Sequence, residues 1–218
     1  MINIELTKRL LSSVILIPVA IFLIKEGSFL FNFFILIFFL ITTYEWHKMS
    51  RKKFYYLFGL LFISLSFIST YKIRTNGDIG YDYFIIILFI CISTDIGGYI
   101  FGKILKGPKL TKISPKKTYA GVIGGYLLSI IFLNLVFGSS YLLIKPQDIT
   151  SDIFIFILLI STVSQVGDII VSYFKRLSKI KDTGKIIPGH GGLLDRIDGM
   201  IFAYPFAYLI LKINIIQF

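Results

Sequence analysis

Four aspartates stand at positions where carboxylates do chemistry. Asp95 lies in CISTDIGGYIFG, late in an apolar run, and Asp168 lies in STVSQVGDIIVSYFKR, late in another. Asp195 and Asp198 stand three apart in LLDRIDG. A carboxylate at mid-membrane costs about 2.5–3.5 kcal/mol on insertion scales, so such acids usually face a protein cavity. For either of the first two alone, an aspartate paired to an interfacial lysine is an equal alternative. It loses ground because Gln165 and Ser172 flank Asp168 and a second acidic pair follows. If LLDRIDG begins the last helix, the i,i+3 spacing puts Asp195 and Asp198 on one face. Hard carboxylate oxygens suit Mg²⁺, which takes one or two protein carboxylates and keeps positions for substrate phosphates. Acids also favour helix starts for electrostatic reasons alone, so the neighbourhood decides. Lys175, Arg176, Lys181 and Lys185 precede the pair, and Gly189, His190, Gly191 and Gly192 lead into it. Glycines let backbone approach an anion, and exposed N–H groups cradle phosphate. The cations can offset charge that develops on a phosphoryl group and its leaving group. The pattern is that of a metal-assisted phosphate site.

These residues must be positioned by elements that live in lipid. The chain of 218 residues is 56% hydrophobic and contains 22 Phe, with a mean hydropathy of +0.81, far from the average soluble domain. Seven apolar runs approach the roughly 20 residues needed to cross a bilayer. They are Leu10–Ile24, interrupted by Pro18, then Phe29–Tyr44, Phe54–Thr70, Tyr83–Phe101, Tyr119–Ile144, Ile153–Phe174 and Met200–Ile216. The first has the charge-then-apolar order of a signal peptide but no small-residue cleavage site, so it is read as an uncleaved helix. Nothing alternates as a barrel strand would, so the spans are helices. The expected fold is all-α: a polytopic membrane helical bundle of about seven transmembrane helices. It forms one integral membrane domain over residues 1–218. N-terminal helices occupy about 1–80, and catalytic helices and cytoplasmic loops about 81–218.

Charge sets the orientation. With the N-terminus in the cytoplasm, 18 of the 23 Lys and Arg fall inside and five outside, a strong positive-inside bias. The two loops richest in motif, 102–118 and 175–199, then share the cytoplasmic side. A net charge of +11 raises nucleic acid as a partner, but basic cytoplasmic loops account for it, so none is expected. The single cysteine, Cys91, excludes a disulfide framework. GVIGGYLLS offers small residues for close helix packing.

At this point the residues resemble a family. SYFKRLSKIKDTGKIIPGHGGLLDRID, Ser172–Asp198, is similar position by position to the signature of the phosphatidate cytidylyltransferases, or CDP-diglyceride synthases. TDIGGYIFGKILKGPKLTKISPKKTYAG, Thr94–Gly121, resembles the family's other block, with its SPKKT core. The resemblance implies transfer of a cytidylyl group from CTP to phosphatidic acid, giving CDP-diacylglycerol and pyrophosphate. It implies Mg²⁺ held by Asp168, Asp195 and Asp198, with K⁺ as a second ion. Catalytic roles fall to Lys175, Arg176 and Asp198. Substrate contacts fall to Asp95, Ser114, Lys116, Lys117, Ser172, Lys181, His190, Gly191, Gly192 and Arg196. His190 is as well suited to holding its loop by an ordinary hydrogen bond. Ile96 stands beside Asp95 where many members carry Thr. The family further implies a homodimer among membrane lipids, with a cavity open to the cytoplasm. The residue composition suits a bacterial cytoplasmic (inner) membrane. The rival readings are another nucleotide-using lipid enzyme, such as a CDP-archaeol synthase or polyprenol kinase, an ion-coupled transporter, and a lysine-rich lipid-binding scaffold, which needs no carboxylate cluster. A transporter would spread its acids through the membrane depth, whereas here they gather beside phosphate-like loops.

Overall fold

Long apolar runs fold as helices, because a helix satisfies its own backbone in lipid. The computed structural model describes residues 20–77, 79–137, 151–186 and 191–213. A helical stretch at 20–26 is followed by α1 (Ser28–Ser50), α2 (Tyr56–Arg74), α3 (Gly80–Ile104) and α4 (Tyr119–Phe137). Next come α5 (Ser151–Leu177), the single turn α6 (Leu194–Ile197) and α7 (Met200–Lys212). Among the described residues there is no strand, only an isolated antiparallel bridge between Lys109 and Thr118.

Four of these helices, α1, α2, α3 and α5, are long and apolar enough to cross a membrane. Helix α7 is shorter. With 13 residues, α7 is about 20 Å long, less than the ~30 Å hydrocarbon core. The outward faces carry continuous apolar stripes: Phe29, Phe33, Leu40 and Tyr44 on α1, and Tyr119, Ile123, Leu127, Ile131 and Leu135 on α4. Water would not tolerate such stripes, and lipid does. The chain is an integral membrane protein.

Two expectations need correction. The second span does not end at Tyr44, since α1 continues to Ser50. Its buried side runs on through Thr42, Glu45, Trp46 and Met49 at helical spacing, so packing carries the helix past the last lipid-suited residue. Nor does LLDRIDG begin the last helix. Asp195 lies in α6, while Asp198 and Gly199 form a turn before α7 starts at Met200, and Asp198 Oδ1 accepts the Gly199 N–H at 3.0 Å. An aspartate that bonds its neighbour's backbone competes with helix continuation. Most of the first predicted span, and the far ends of the fifth and the seventh, lie outside the described residues.

The chain divides into two compact units. One joins Met1–Tyr71 to Lys175–Ile197, and the other joins Lys72–Phe174 to Asp198–Phe218. In the first, α1 and α2 form a hairpin. Gly59 lies flat against the Trp46 indole, where any Cβ would collide with the ring. Trp46 Nε1 donates to the Tyr56 carbonyl at 3.0 Å, and Phe39 meets Phe67 edge-on. In the second unit, α3 and α4 approach through glycines. A Cβ on Gly97 would strike the Gly124 carbonyl, and one on Gly121 would crowd the Gly98 carbonyl. Small residues therefore set this helix contact. Hydrogen bonds join α5 to both neighbours: Thr94 to Ser161 and Tyr126 to Thr162, each at 2.8 Å. Helix α7 seats Phe202 against Gly167 and places Gly199 against Ser164 of α5.

Candidate active site

The signature segment starts as the last turn of α5. Ile180 N–H bonds the Lys175 carbonyl and Lys179 N–H bonds the Arg176 carbonyl, at 3.0 and 2.9 Å, with Lys179 at φ 57°. That is the double bond pattern that closes a helix with a left-handed residue. Arg176 Nη1 donates to the Ile180 carbonyl at 2.9 Å and reinforces the stop. The chain then leaves the helix axis, and the Tyr55 hydroxyl meets Ser178 Oγ at 2.8 Å.

Within this unit Lys175 and Asp195 come together. Lys175 Nζ lies 3.0 Å from Asp195 Oδ1, and the lysine is 7% exposed. Asp195 Oδ2 accepts two backbone N–H groups, from Thr183 at 2.8 Å and Gly192 at 3.0 Å. The loop thus curls so that both its arms point N–H groups at one carboxylate. Gly191 has φ 89°, a conformation costly for residues with a Cβ, and a Cβ there would also press on Asp195 Oδ2. Lys181, Arg176 and Arg196 are exposed. His190 lies outside the described residues.

In the other unit Asp168 is the focus. Lys117 Nζ pairs with Asp168 Oδ2 at 2.5 Å and donates to the Gln165 carbonyl at 3.2 Å, while Ser172 Oγ donates to Asp168 Oδ1 at 3.3 Å. Lys117 reaches there because its loop is pinned. Thr111 Oγ1 accepts the Ile113 and Ser114 N–H groups, Lys117 N–H bonds the Ser114 carbonyl, and Leu110 N–H bonds the Lys117 carbonyl. Ser114 serves this turn through its backbone carbonyl, and Lys116 points to solvent. Asp198 is buried at 8% exposure beside Gly199, which packs on Ser164, one helical turn before Asp168. Asp95 lies on an exposed face of α3.

Asp168 and Asp195 thus each face a lysine ammonium. The donors are all hard oxygens, which fits Mg²⁺ in chemistry. Among the described residues no group of three or more His, Cys, Asp or Glu side chains is gathered as a metal cluster.

The sequence reading missed Glu45 and Thr183. Glu45 is 1% exposed, and its carboxylate accepts the Thr183 hydroxyl and the Leu193 and Leu194 N–H groups. The signal that had singled out Asp95 and Asp168, an acid at the end of an apolar run, was present in TTYEWHK. Ending the span at Tyr44 assigned Glu45 to a loop.

Known proteins resemble this chain over most of its length. Residues 54–214 match the model of the cytidylyltransferase family. A phosphatidate cytidylyltransferase of Rickettsia bellii (strain RML369-C) is 36% identical over 208 residues, 93% of this chain and 89% of that protein. One of Rickettsia felis is 34% identical over 208 residues, 93% and 90% of the two chains. One of Brucella suis is 37% identical over 152 residues, 69% and 54% of the two. The matched region contains both the Lys117–Asp168 pair and the Lys175–Asp195 pair, and on these findings the chain belongs to the cytidylyltransferase family, alongside the phosphatidate cytidylyltransferases of these bacteria.

Proposed function

We propose that this protein transfers a cytidylyl group from CTP to phosphatidic acid, forming CDP-diacylglycerol and releasing pyrophosphate. The observation that carries the reading is the buried Lys175–Asp195 pair, which joins the two ends of the signature segment. It folds a sequence motif into a cation and a carboxylate side by side, the elements that phosphate transfer needs.

The nucleophile is a phosphate oxygen of phosphatidic acid. It attacks the α-phosphorus of CTP, a P–O bond forms, and the bond to the β-phosphate oxygen breaks. The electron pair departs with pyrophosphate. The attacking oxygen is ionised at neutral pH, so no strong general base is required. Lys117 and Lys175 sit beside carboxylates and are held in place for the anionic substrates. Lys116 and Lys181, being exposed, can reach the departing pyrophosphate and the lipid headgroup, and Arg176, held by the Ile180 carbonyl through one nitrogen, presents its other guanidinium N–H groups to them. Asp168, Asp195 and Asp198 are the residues that would hold Mg²⁺, which when bound orients phosphates and neutralises charge at the α-phosphorus. K⁺ is the proposed second ion.

The wider arrangement we propose has seven spans with the N-terminus and both motif loops in the cytoplasm of a bacterial inner membrane. The distribution of 23 Lys and Arg supports it. The working form is a homodimer. Incubating purified protein with labelled CTP, Mg²⁺ and phosphatidic acid should yield labelled CDP-lipid, and EDTA should stop the reaction. No product from folded protein refutes the proposal, and product with a polyprenol or archaetidic acceptor in place of phosphatidic acid reassigns the substrate.

A further inference from the structure

We infer that Glu45 is a positioning residue for cytidylyl transfer, acting from α1 on the carboxylate of Asp195. The inference rests on the proposed function. Glu45 lies ahead of the region that matches the family, which begins at residue 54.

The geometry is a pair of carboxylates sharing one set of donors. Glu45 Oε2 accepts the Thr183 hydroxyl at 2.9 Å and the Leu194 N–H at 2.8 Å, and Oε1 accepts the Leu193 N–H at 3.0 Å. Asp195 accepts the Thr183 N–H and the Gly192 N–H. Thr183 thus gives its side chain to one acid and its backbone to the other. The three successive N–H groups of 192, 193 and 194 are divided between the same two acids. Gly184 and Gly192 lie against the Glu45 carboxylate so closely that a Cβ on either would collide with it.

A buried carboxylate that accepts several hydrogen bonds is held firmly, because leaving any donor or the charge unsatisfied there is costly. Every hydrogen-bond partner named for Glu45 belongs to the signature segment. Its rigidity therefore goes into the loop, and fixing Thr183 and Gly192–Leu194 fixes the amide donors that aim Asp195. Outer-shell partners of this kind alter metal affinity or activity by about 10–100-fold when lost.

The test uses the full-length detergent-solubilised protein with Glu45→Gln, Thr183→Val and the double variant. Thr183→Val keeps the side-chain shape and serves if Glu45→Gln fails to fold. Three readouts are taken: the Mg²⁺ concentration for half-maximal rate, kcat against KM for CTP, and amide hydrogen exchange at 183 and 192–194 without metal. Glu45→Gln should raise half-saturating Mg²⁺ about tenfold. It should lower kcat with KM for CTP nearly unchanged, and speed exchange at those amides by about tenfold or more. Thr183→Val should act in the same direction but less, and the double variant should match Glu45→Gln rather than the product of the two effects. An unchanged Mg²⁺ curve and unchanged loop exchange, with activity falling only as folded protein falls, overturns the inference while leaving the proposed function standing. A wild-type protein that makes no CDP-lipid overturns both.

Discussion

Replacing Asp195 with Asn probes the central pair of the proposed site. Asp195 faces Lys175 at 3.0 Å and holds two backbone N–H groups on its other oxygen. Removing one member of a buried ion pair costs about 3–5 kcal/mol. Asparagine keeps one oxygen for the amides, so Asp195→Asn should fall near the low end, at about 3 kcal/mol. Lys175→Met leaves the carboxylate with two charge-assisted amide bonds, each contributing about 1.5–3 kcal/mol, and should cost less, about 2 kcal/mol. The double variant places no charge opposite a lost partner. Its loss should be smaller than the sum of the singles by about 2 kcal/mol, within the range seen for residues in direct contact. For a chain of this size each kcal/mol moves the midpoint by about 2–4 °C, so Asp195→Asn should melt roughly 6–12 °C below wild type. The assay is a thermal-melt double-variant cycle, run beside CTP:phosphatidate turnover. Turnover should fall by at least about 10²–10³-fold in Asp195→Asn and should not return in the double variant, whatever happens to stability. Single losses that simply add would refute the pairing argument, and full turnover in Asp195→Asn would remove that residue from the site.

Two further outcomes test the frame that carries the site. Gly97→Val forces a branched side chain into the Gly124 carbonyl, so overpacking should destabilise by about 1–3 kcal/mol or more, read as a lowered melting midpoint; an unchanged midpoint would mean that α3 and α4 do not approach through these glycines. Lys179→Gly relieves a left-handed conformation at the end of α5 and should stabilise by up to about 1 kcal/mol in the same melt, with turnover unchanged; destabilisation would contradict the helix-stop geometry.

Several features were legible before any fold was known because they are periodic or local. Apolar runs marked helices α2, α3, α5 and α7 to within a few residues, since lipid selects uninterrupted helices. The glycines of GVIGGYLLS signalled close helix contact, and they meet Gly97 and Gly98 of α3. Lys117 was singled out in SPKKT and Asp168 in QVGD, but nothing local tied the two together. Their pairing depends on Thr111 and Ser114 folding the loop back so that a lysine 51 residues earlier meets α5. Asp195 and Asp198, three apart, read as one helix face. A side-chain bond from Asp198 to the next N–H marks the turn that separates α6 from α7 instead.

Chemical type and membrane residence belong to the sequence itself, because hydropathy, charge placement and motif composition are properties of residues taken in order. Hard-oxygen acids, lysines and glycines between apolar runs were enough to name phosphate chemistry at a membrane edge. Which groups each acid meets belongs to tertiary structure. Glu45 and Thr183 lie 138 residues apart, and no periodicity links them. Only packing of α1 beneath the signature loop turns an acid after an apolar run into a buried anchor, because hydrogen bonds of that kind depend on position in space and leave no trace in spacing along the chain.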